Sequence, residues 1–467
     1  MSDPLWRLAA TELAAGYRAR AFSPVDALNA ILERIAAVNP RLNAIVTLDA
    51  EGARTAAAAS AARWSAGAAL SDLDGVPLTV KDNIPVRGMR ATWGSRVYAD
   101  FVPLADELPI ARLRAAGAVI VGKTNCPEFT LHGYTDNPLF GITRNPWNVA
   151  LTPGGSSGGA VAAVAAGLGP VAIGTDGGGS IRRPASHTGL VGLKPSRGRV
   201  PRCDGFPAIL LDYEAVGPMA RSVADIVLLM NTLSAFDARD PCAAEFAARP
   251  FAPENRTPCR IVFAPTFDAA PVDAQIAASV DGAARAFEQC GHKVDVAAAP
   301  FDVDALNRAW PVIGQSGLAW LLQSRPGARN LVGTAIGEMA DNGAAFTAAQ
   351  YFAALDSIAG LRRQLSVFFS AHDVLLTPSA AALPWPAEVS HPAIIDGKAV
   401  GPRGHAIFTA IANVTGCPAI SVPCAPAANG LPIGFQLIAA PGCDGLLCAL
   451  AAQYERAHPW AERWPDL

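Results

Sequence analysis

The sequence is short of charge. Only 16% of its 467 residues are Asp, Glu, Lys or Arg, and the net charge is −3. A nucleic-acid partner would call for a basic patch or stripe, and this composition has no basic surplus to build one. Cysteine is present but unorganised: nine residues are scattered along the chain and no Cys-x-x-Cys occurs. An odd, unclustered set reads as reduced thiols of a cytoplasmic protein, neither a disulfide framework nor a zinc site. Long apolar runs are missing too. Two uncharged stretches, residues 145–175 and 404–443, are broken by Gly, Pro and Asn, whereas a membrane span needs about 20 predominantly apolar residues in a row. The opening Met1-Ser-Asp-Pro-Leu-Trp-Arg-Leu8 lacks the apolar core of a signal peptide. No internal repeat and no low-complexity linker is found.

Hydrophobic residues make up 51% of the chain, with much Ala and Gly, as in a tightly packed soluble α/β enzyme. Ser23-Pro24 predicts a helix start: serine caps, proline suits the first position, and Asp26 favours the positive end. Leu28, Ile31, Leu32, Ile35 and Val38 then keep helical spacing until Asn39-Pro40. An Ala-rich helix follows around 50–66, so the first 65 or so residues are expected to be mostly helical and packed on the core. Val76 to Val80 predicts a strand whose alternation puts Lys81 on the face opposite Val76, Leu78 and Val80. Further strands are expected at 118–121, 171–173, 260–264, 293–296, 373–376 and 419–422. Helices are expected at 106–116, after Gly158, over 276–287 and through 300–370. The Pro-rich stretch 378–392 reads as a surface loop.

Two glycine-rich segments stand apart, Leu151-Thr-Pro-Gly-Gly-Ser-Ser-Gly-Gly-Ala160 and Gly174-Thr-Asp-Gly-Gly-Gly-Ser-Ile-Arg182. Gly177-Gly178-Gly179 lets successive backbone N–H groups converge on one spot, which suits an anion or a developing oxyanion. Ser180 ends that run, where a nucleophile would stand. A hydroxyl needs a base near neutral pH. The histidine nearest in sequence, His187, lies seven residues on and reads as a packed residue. Lys81 lies 75 residues before Ser156. A lysine after a strand is by itself an ordinary surface residue.

Taken together, Lys81, the Ser156-Ser157 pair and Ser180 resemble the amidase signature family, the Ser–cisSer–Lys amide hydrolases. The resemblance continues through Gly122-Lys-Thr-Asn-Cys-Pro-Glu128, Asn137-Pro-Leu-Phe-Gly141, Arg144-Asn-Pro-Trp147, Gly189-Leu-Val-Gly-Leu-Lys-Pro195 and Val216-Gly-Pro-Met-Ala-Arg221. Near the end, Asn413-Val-Thr-Gly-Cys-Pro418 and Gly430-Leu-Pro-Ile-Gly-Phe-Gln436 also fit. It covers residues from about 20 to 460 and is weakest over 235–370. Length alone would suggest about three domains. The resemblance implies instead one domain over 1–467, a mixed twisted sheet between helices, with 235–370 and the loops near 130 and 380 setting specificity.

The resemblance also implies the roles. Ser180 is the nucleophile, Ser156 the bridging serine on a cis peptide, and Lys81 the base. The backbone N–H groups of Gly177, Gly178, Gly179 and Ser180 form the oxyanion hole. The family often has a bulkier residue at Gly177, which leaves backbone donation intact. A lysine of ordinary pKa is only about 0.04% neutral at pH 7, so Lys81 must be perturbed by about 3 units, roughly 4 kcal/mol, which burial can supply. Asp176 and Arg182 are expected to pair and hold the loop, and Ser157 to bond beside Lys81. Thr130, Leu131 and His132 match positions lining the site, with plain packing an equal reading. Arg183 is unusual for the family, and its guanidinium suits a substrate carboxylate; a structural ion pair is the other reading.

No metal or cofactor is implied. The expected partner is a small amide, with no nucleic acid, no membrane, and a homodimer left open. Two alternatives stand beside amide hydrolysis. One is the amidotransferase component of a tRNA-dependent complex. The other is an α/β-hydrolase-type esterase using Ser156, since Gly154-Gly-Ser-Ser-Gly158 fits G-x-S-x-G. That motif needs a preceding strand, and Asn148 to Pro153 is a poor one.

Overall fold

Ser23 starts its helix as expected. Its hydroxyl accepts from the Asp26 N–H, Asp26 accepts from the Ser23 N–H, and Pro24 takes the first position. The helix does not stop at Asn39-Pro40 but runs over Pro24–Leu42. Pro40 falls in the last turn, where it forfeits only the one hydrogen bond its N–H would give the Ala36 carbonyl, and left-handed Asn43 closes the end by donating to the Asn39 carbonyl. The Asn39 side chain accepts from the N–H groups of Ala44 and Ile45 and turns the chain into a strand that the sequence did not signal.

The computed structural model describes residues 4–467; Met1, Ser2 and Asp3, which open the segment read above for a leader, lie outside the described residues. Apart from a short hairpin of Ile394–Ile395 and Lys398–Ala399, the strands are those of the main sheet: β1 (Ile45–Leu48), β2 (Pro77–Lys81), β3 (Val119–Thr124), β4 (Val171–Asp176), β5 (Val191–Lys194), β6 (Ala215–Ala220), β7 (Arg260–Phe263), β8 (Lys293–Val296), β9 (Val374–Pro378), β10 (Ala419–Pro423) and β11 (Gly434–Ala439). They form one 11-stranded sheet in the order β1–β3–β2–β4–β6–β5–β10–β11–β9–β7–β8. β2 runs parallel to β3 and β4, and β7 to β8 and β9; the other pairs are antiparallel. This is the mixed α/β sheet that was expected.

The two faces separate by alternation. Val171, Ile173, Val374 and Leu376 join a cluster that includes Val76, Leu78, Val80, Ile226 and Leu447. From the other face, Ala172 packs with Val161, Val164 and Ala185, and Leu375 with Leu306, Ile313 and Ile358. That second face carries the helices Gly158–Ala165, Arg182–Thr188, Val303–Gln323 and Ala348–Ala371. Residues 379–385, expected on the surface, are buried apart from half-buried Leu383. The Trp385 carbonyl accepts from the Thr152 N–H, and Ala387 N–H donates to the Ala150 carbonyl. The stretch is thus laced to the first glycine-rich segment. Among the described residues no helix is long and apolar enough to cross a membrane.

Candidate active site

Parallel strands β2 and β4 bring Lys81 and Thr175 to neighbouring C-terminal ends, the edge where open α/β sheets collect their sites. Lys81 is fully buried. Its Nζ lies 2.8 Å from Ser156 Oγ, 3.0 Å from Thr175 Oγ1 and 3.3 Å from the Thr175 carbonyl. The Gly155–Ser156 peptide is cis. Ser157 Oγ donates to the same Thr175 carbonyl at 3.2 Å, as expected of a residue beside Lys81. Its N–H donates to the Ser180 carbonyl, joining the two glycine-rich segments.

Burial dominates the titration of Lys81 and lowers its pKa to about 8, against the opposing pull of Cys126, Glu214 and Asp176. A low pKa does not by itself mark the base. Lys194 is lowered to about 8 as well, also by burial, and Lys123 is lowered for the same reason. The difference lies in their partners. Lys123 donates to the carbonyls of Asp82 and Ile84, and Lys194 to those of Pro195 and Cys417. Such acceptors favour the ammonium form, whereas a serine hydroxyl can also donate to a neutral amine.

The loop after β4 is held by Asp176 and Arg182, both fully buried. The guanidinium grips both carboxylate oxygens, at 2.9 and 2.8 Å. Burial pushes the Asp176 carboxyl up, but Arg182 overcomes this and holds it below the usual carboxylate range. Arg182 donates further to the Thr409 carbonyl, Gln436 Oε1 and Asn413 Oδ1. Sequence reasoning missed these partners. Asn413 and Gln436 each sit inside a motif quoted above, so the signal was present without its meaning.

The oxyanion expectation needs one correction. The Gly179 N–H donates to Asp176 Oδ1 at 2.7 Å and is not free. A carboxylate three residues earlier in a tight turn captures it. The N–H groups of Gly177, Gly178 and Ser180 have no partner among the described residues. The Ser180 hydroxyl has no hydrogen-bond partner among them either, and it lines a cavity of about 430 Å³. His187, the rival base, is buried elsewhere: its Nε2 contacts the Ala382 carbonyl and its ring meets Trp385 edge-on. Among the described residues no strand leads into Ser156, so the elbow required by the esterase alternative is absent.

A family model described as Amidase matches residues 26–448. The chain belongs to the amidase signature family. It is an enzyme of the amide-hydrolase class. Among similar proteins, an acylamidase of Rhodococcus erythropolis is 34% identical over 465 residues, 98% of this chain and 97% of that protein. A glutamyl-tRNA(Gln) amidotransferase chain of Roseiflexus sp. (strain RS-1) is 35% identical over 472 residues, 95% of each. Among solved structures, 6-aminohexanoate cyclic dimer hydrolase complexed with substrate superposes with a TM-score of 0.89 at 32% identity, covering 99% of each chain. A bacterial aryl acylamidase gives 0.90 at 30%, covering 98% of each.

The cavity of this amidase takes its walls from the regions expected to vary. Thr130, Leu131 and His132 line one side, and Trp310, Gln315 and Met339 another. Thr130 Oγ1 accepts from Trp93 Nε1 at 3.2 Å, and His132 stacks on Tyr134. Arg183 also faces the cavity and is 7% exposed. Its closest polar contacts are the Gly179 carbonyl at 3.4 Å and His405 Nδ1 at 3.5 Å, and no carboxylate pairs with it among the described residues. Burial lowers its pKa to about 9, with Arg403, another lining residue, adding like-charge repulsion.

Proposed function

We propose that this amidase hydrolyses a carbon–nitrogen amide bond through an acyl-enzyme on Ser180. The observation that carries the reading is the 2.8 Å contact between Ser156 Oγ and a fully buried Lys81 that pairs with no carboxylate among the described residues. With a pKa of about 8, about a tenth of Lys81 is neutral at pH 7, against a few parts in ten thousand for an ordinary lysine. Ser180 Oγ attacks the carbonyl carbon. Its proton passes to Ser156 as the Ser156 proton passes to Lys81. The carbonyl oxygen gains charge against the N–H groups of Gly177, Gly178 and Ser180, each worth about 3–4 kcal/mol of barrier in comparable sites. The relay then runs backwards: Lys81 returns a proton through Ser156 to the leaving nitrogen and the C–N bond breaks. Water, deprotonated by the same pair, attacks the ester and releases the acid.

The substrate reading extends to charge. Arg183 is a buried cation without an anion, an arrangement that costs several kcal/mol unless a ligand supplies the partner. An amide bearing a carboxylate would do so, and Leu131, Trp310 and Met339 give its body an apolar wall. The deciding experiment measures ammonia release from neutral and carboxylate-bearing primary amides, with Ser180→Ala as blank. Ser180-dependent release supports the reading; release that persists in Ser180→Ala overturns it. Similarity to the amidotransferase chains favours one second reading, that turnover requires partner chains. Silence of the isolated chain, relieved by co-purified partners, would support that instead.

A further inference from the structure

Two cavities meet at Leu210 and Glu214. Beside the 430 Å³ substrate cavity lies a second of about 250 Å³, whose walls include Asn83, Trp93, Glu107, Arg202 and Phe206. Leu210 and Glu214 line both. Glu214 is tied in place: Arg202 donates to it at 2.8 Å and to Glu107 at 2.7 Å. Leu210 is held by packing alone. A Cβ on Gly177 would collide with Leu210 Cδ1, and one on Gly314 would sit 3.4 Å from Cδ2. The side chain therefore plugs the gap between the loop leading to Ser180 and the helix Val303–Gln323.

The second cavity has polar residues in its wall. Asn83 Oδ1 and Glu107 Oε2 are buried acceptors without a donor, on residues 1% and 0% exposed. Neither oxygen is accessible to water, so both lie within the wall of the cavity and do not open onto it. The chamber also abuts the reacting centre, because Asn83 Nδ2 donates to the Thr175 Oγ1 that contacts Lys81.

We propose that Leu210 sets the length of substrate arm accepted on the Gly177 side, and that the cavity beyond it takes the end of a longer arm once Leu210 is shortened. This rests on Ser180 being the reacting residue. The test compares wild type, Leu210→Ala and the volume-conserving Leu210→Met. Substrates are primary amides with lengthening acyl arms and acetamides with lengthening N-alkyl arms. The readout is the ratio of kcat/KM for long over short arms. Leu210→Ala should raise that ratio at least tenfold in one series, while Leu210→Met stays near wild type. An unchanged ratio in folded Leu210→Ala, or in Leu210→Val should the alanine variant not fold, overturns the wall. Turnover that survives Ser180→Ala would instead overturn the catalytic reading, independently of that result.

Discussion

Arg182 grips Asp176 through two parallel hydrogen bonds, and neither side chain is exposed. The pair fixes the turn from β4 to Ser180, because Asp176 also accepts from the N–H groups of Gly179 and Ile181. Removing one partner leaves the other charge buried and alone, which costs about 3–5 kcal/mol. Asp176→Asn and Arg182→Met should each lower the urea midpoint accordingly. The double variant should lose less than the sum, since no lone charge remains. Single losses below about 1 kcal/mol would show that the loop is held by other contacts.

The pH dependence follows from Lys81. The neutral amine is the competent form, and burial has lowered its pKa to about 8. The value of kcat/KM should therefore rise with pH through about 8 and level off above it. Stability moves the same way. The unfolded lysine binds its proton up to the ordinary value near 10.4, so between about 8 and that value the native state binds fewer protons and gains stability as pH rises. Lys81→Ala should abolish the activity limb and cut turnover at pH 7 far more than it alters the unfolding midpoint. Near-full activity in that variant would remove Lys81 from the chemistry.

What the sequence made legible was local. The Ser23-Pro24 cap, the alternation of Val76, Leu78 and Val80, and the helix buried through Ile276, Val280 and Phe287 depend on neighbours within a turn or a strand, and each is found where expected. What escaped depends on distant partners. Ile45–Leu48 is a strand because β3 lies beside it. Residues 379–385 are buried because the segment around Thr152 bonds to them. In the site, Lys81, Ser156 and Ser180 stand in motifs, whereas Trp310 and Leu210 carry no local pattern and matter only because the chain folds them against Gly178 and Gly177. The free N–H groups were overcounted by one because a glycine run does not show which amide a nearby carboxylate has taken.

Gly179 should be the least replaceable residue of that run. Its φ is +108°, and an added Cβ would collide with Thr409 Oγ1 and meet Arg183 Nε at 2.8 Å. An alanine there is strained in backbone and in space. Because Gly178 and Ser180 flank it, the displacement would misaim both free N–H groups. Gly179→Ala should lower kcat by about a hundredfold, in the range of losing one oxyanion donor, with KM changing much less. An equal rise in KM would mean the strain falls on substrate binding instead.

Arg183 makes a prediction with two signs. If its guanidinium waits for a substrate carboxylate, Arg183→Leu should lower the kcat/KM ratio of carboxylate-bearing over neutral amides by about a hundredfold, the worth of one or two charge-assisted hydrogen bonds. Arg183→Lys should recover part of the ratio, since charge returns without the planar fork. The ligand-free enzyme should respond in the opposite direction. Wild type carries a buried cation with no anion beside it among the described residues, only contacts to the Gly179 carbonyl at 3.4 Å and His405 at 3.5 Å, so the leucine variant should unfold at a higher temperature. A structural arginine would behave otherwise, because its loss would lower the melting temperature and leave the substrate ratio unmoved. Measured together, the two quantities separate a recognition residue from a packing one, as neither role moves both in the same pattern.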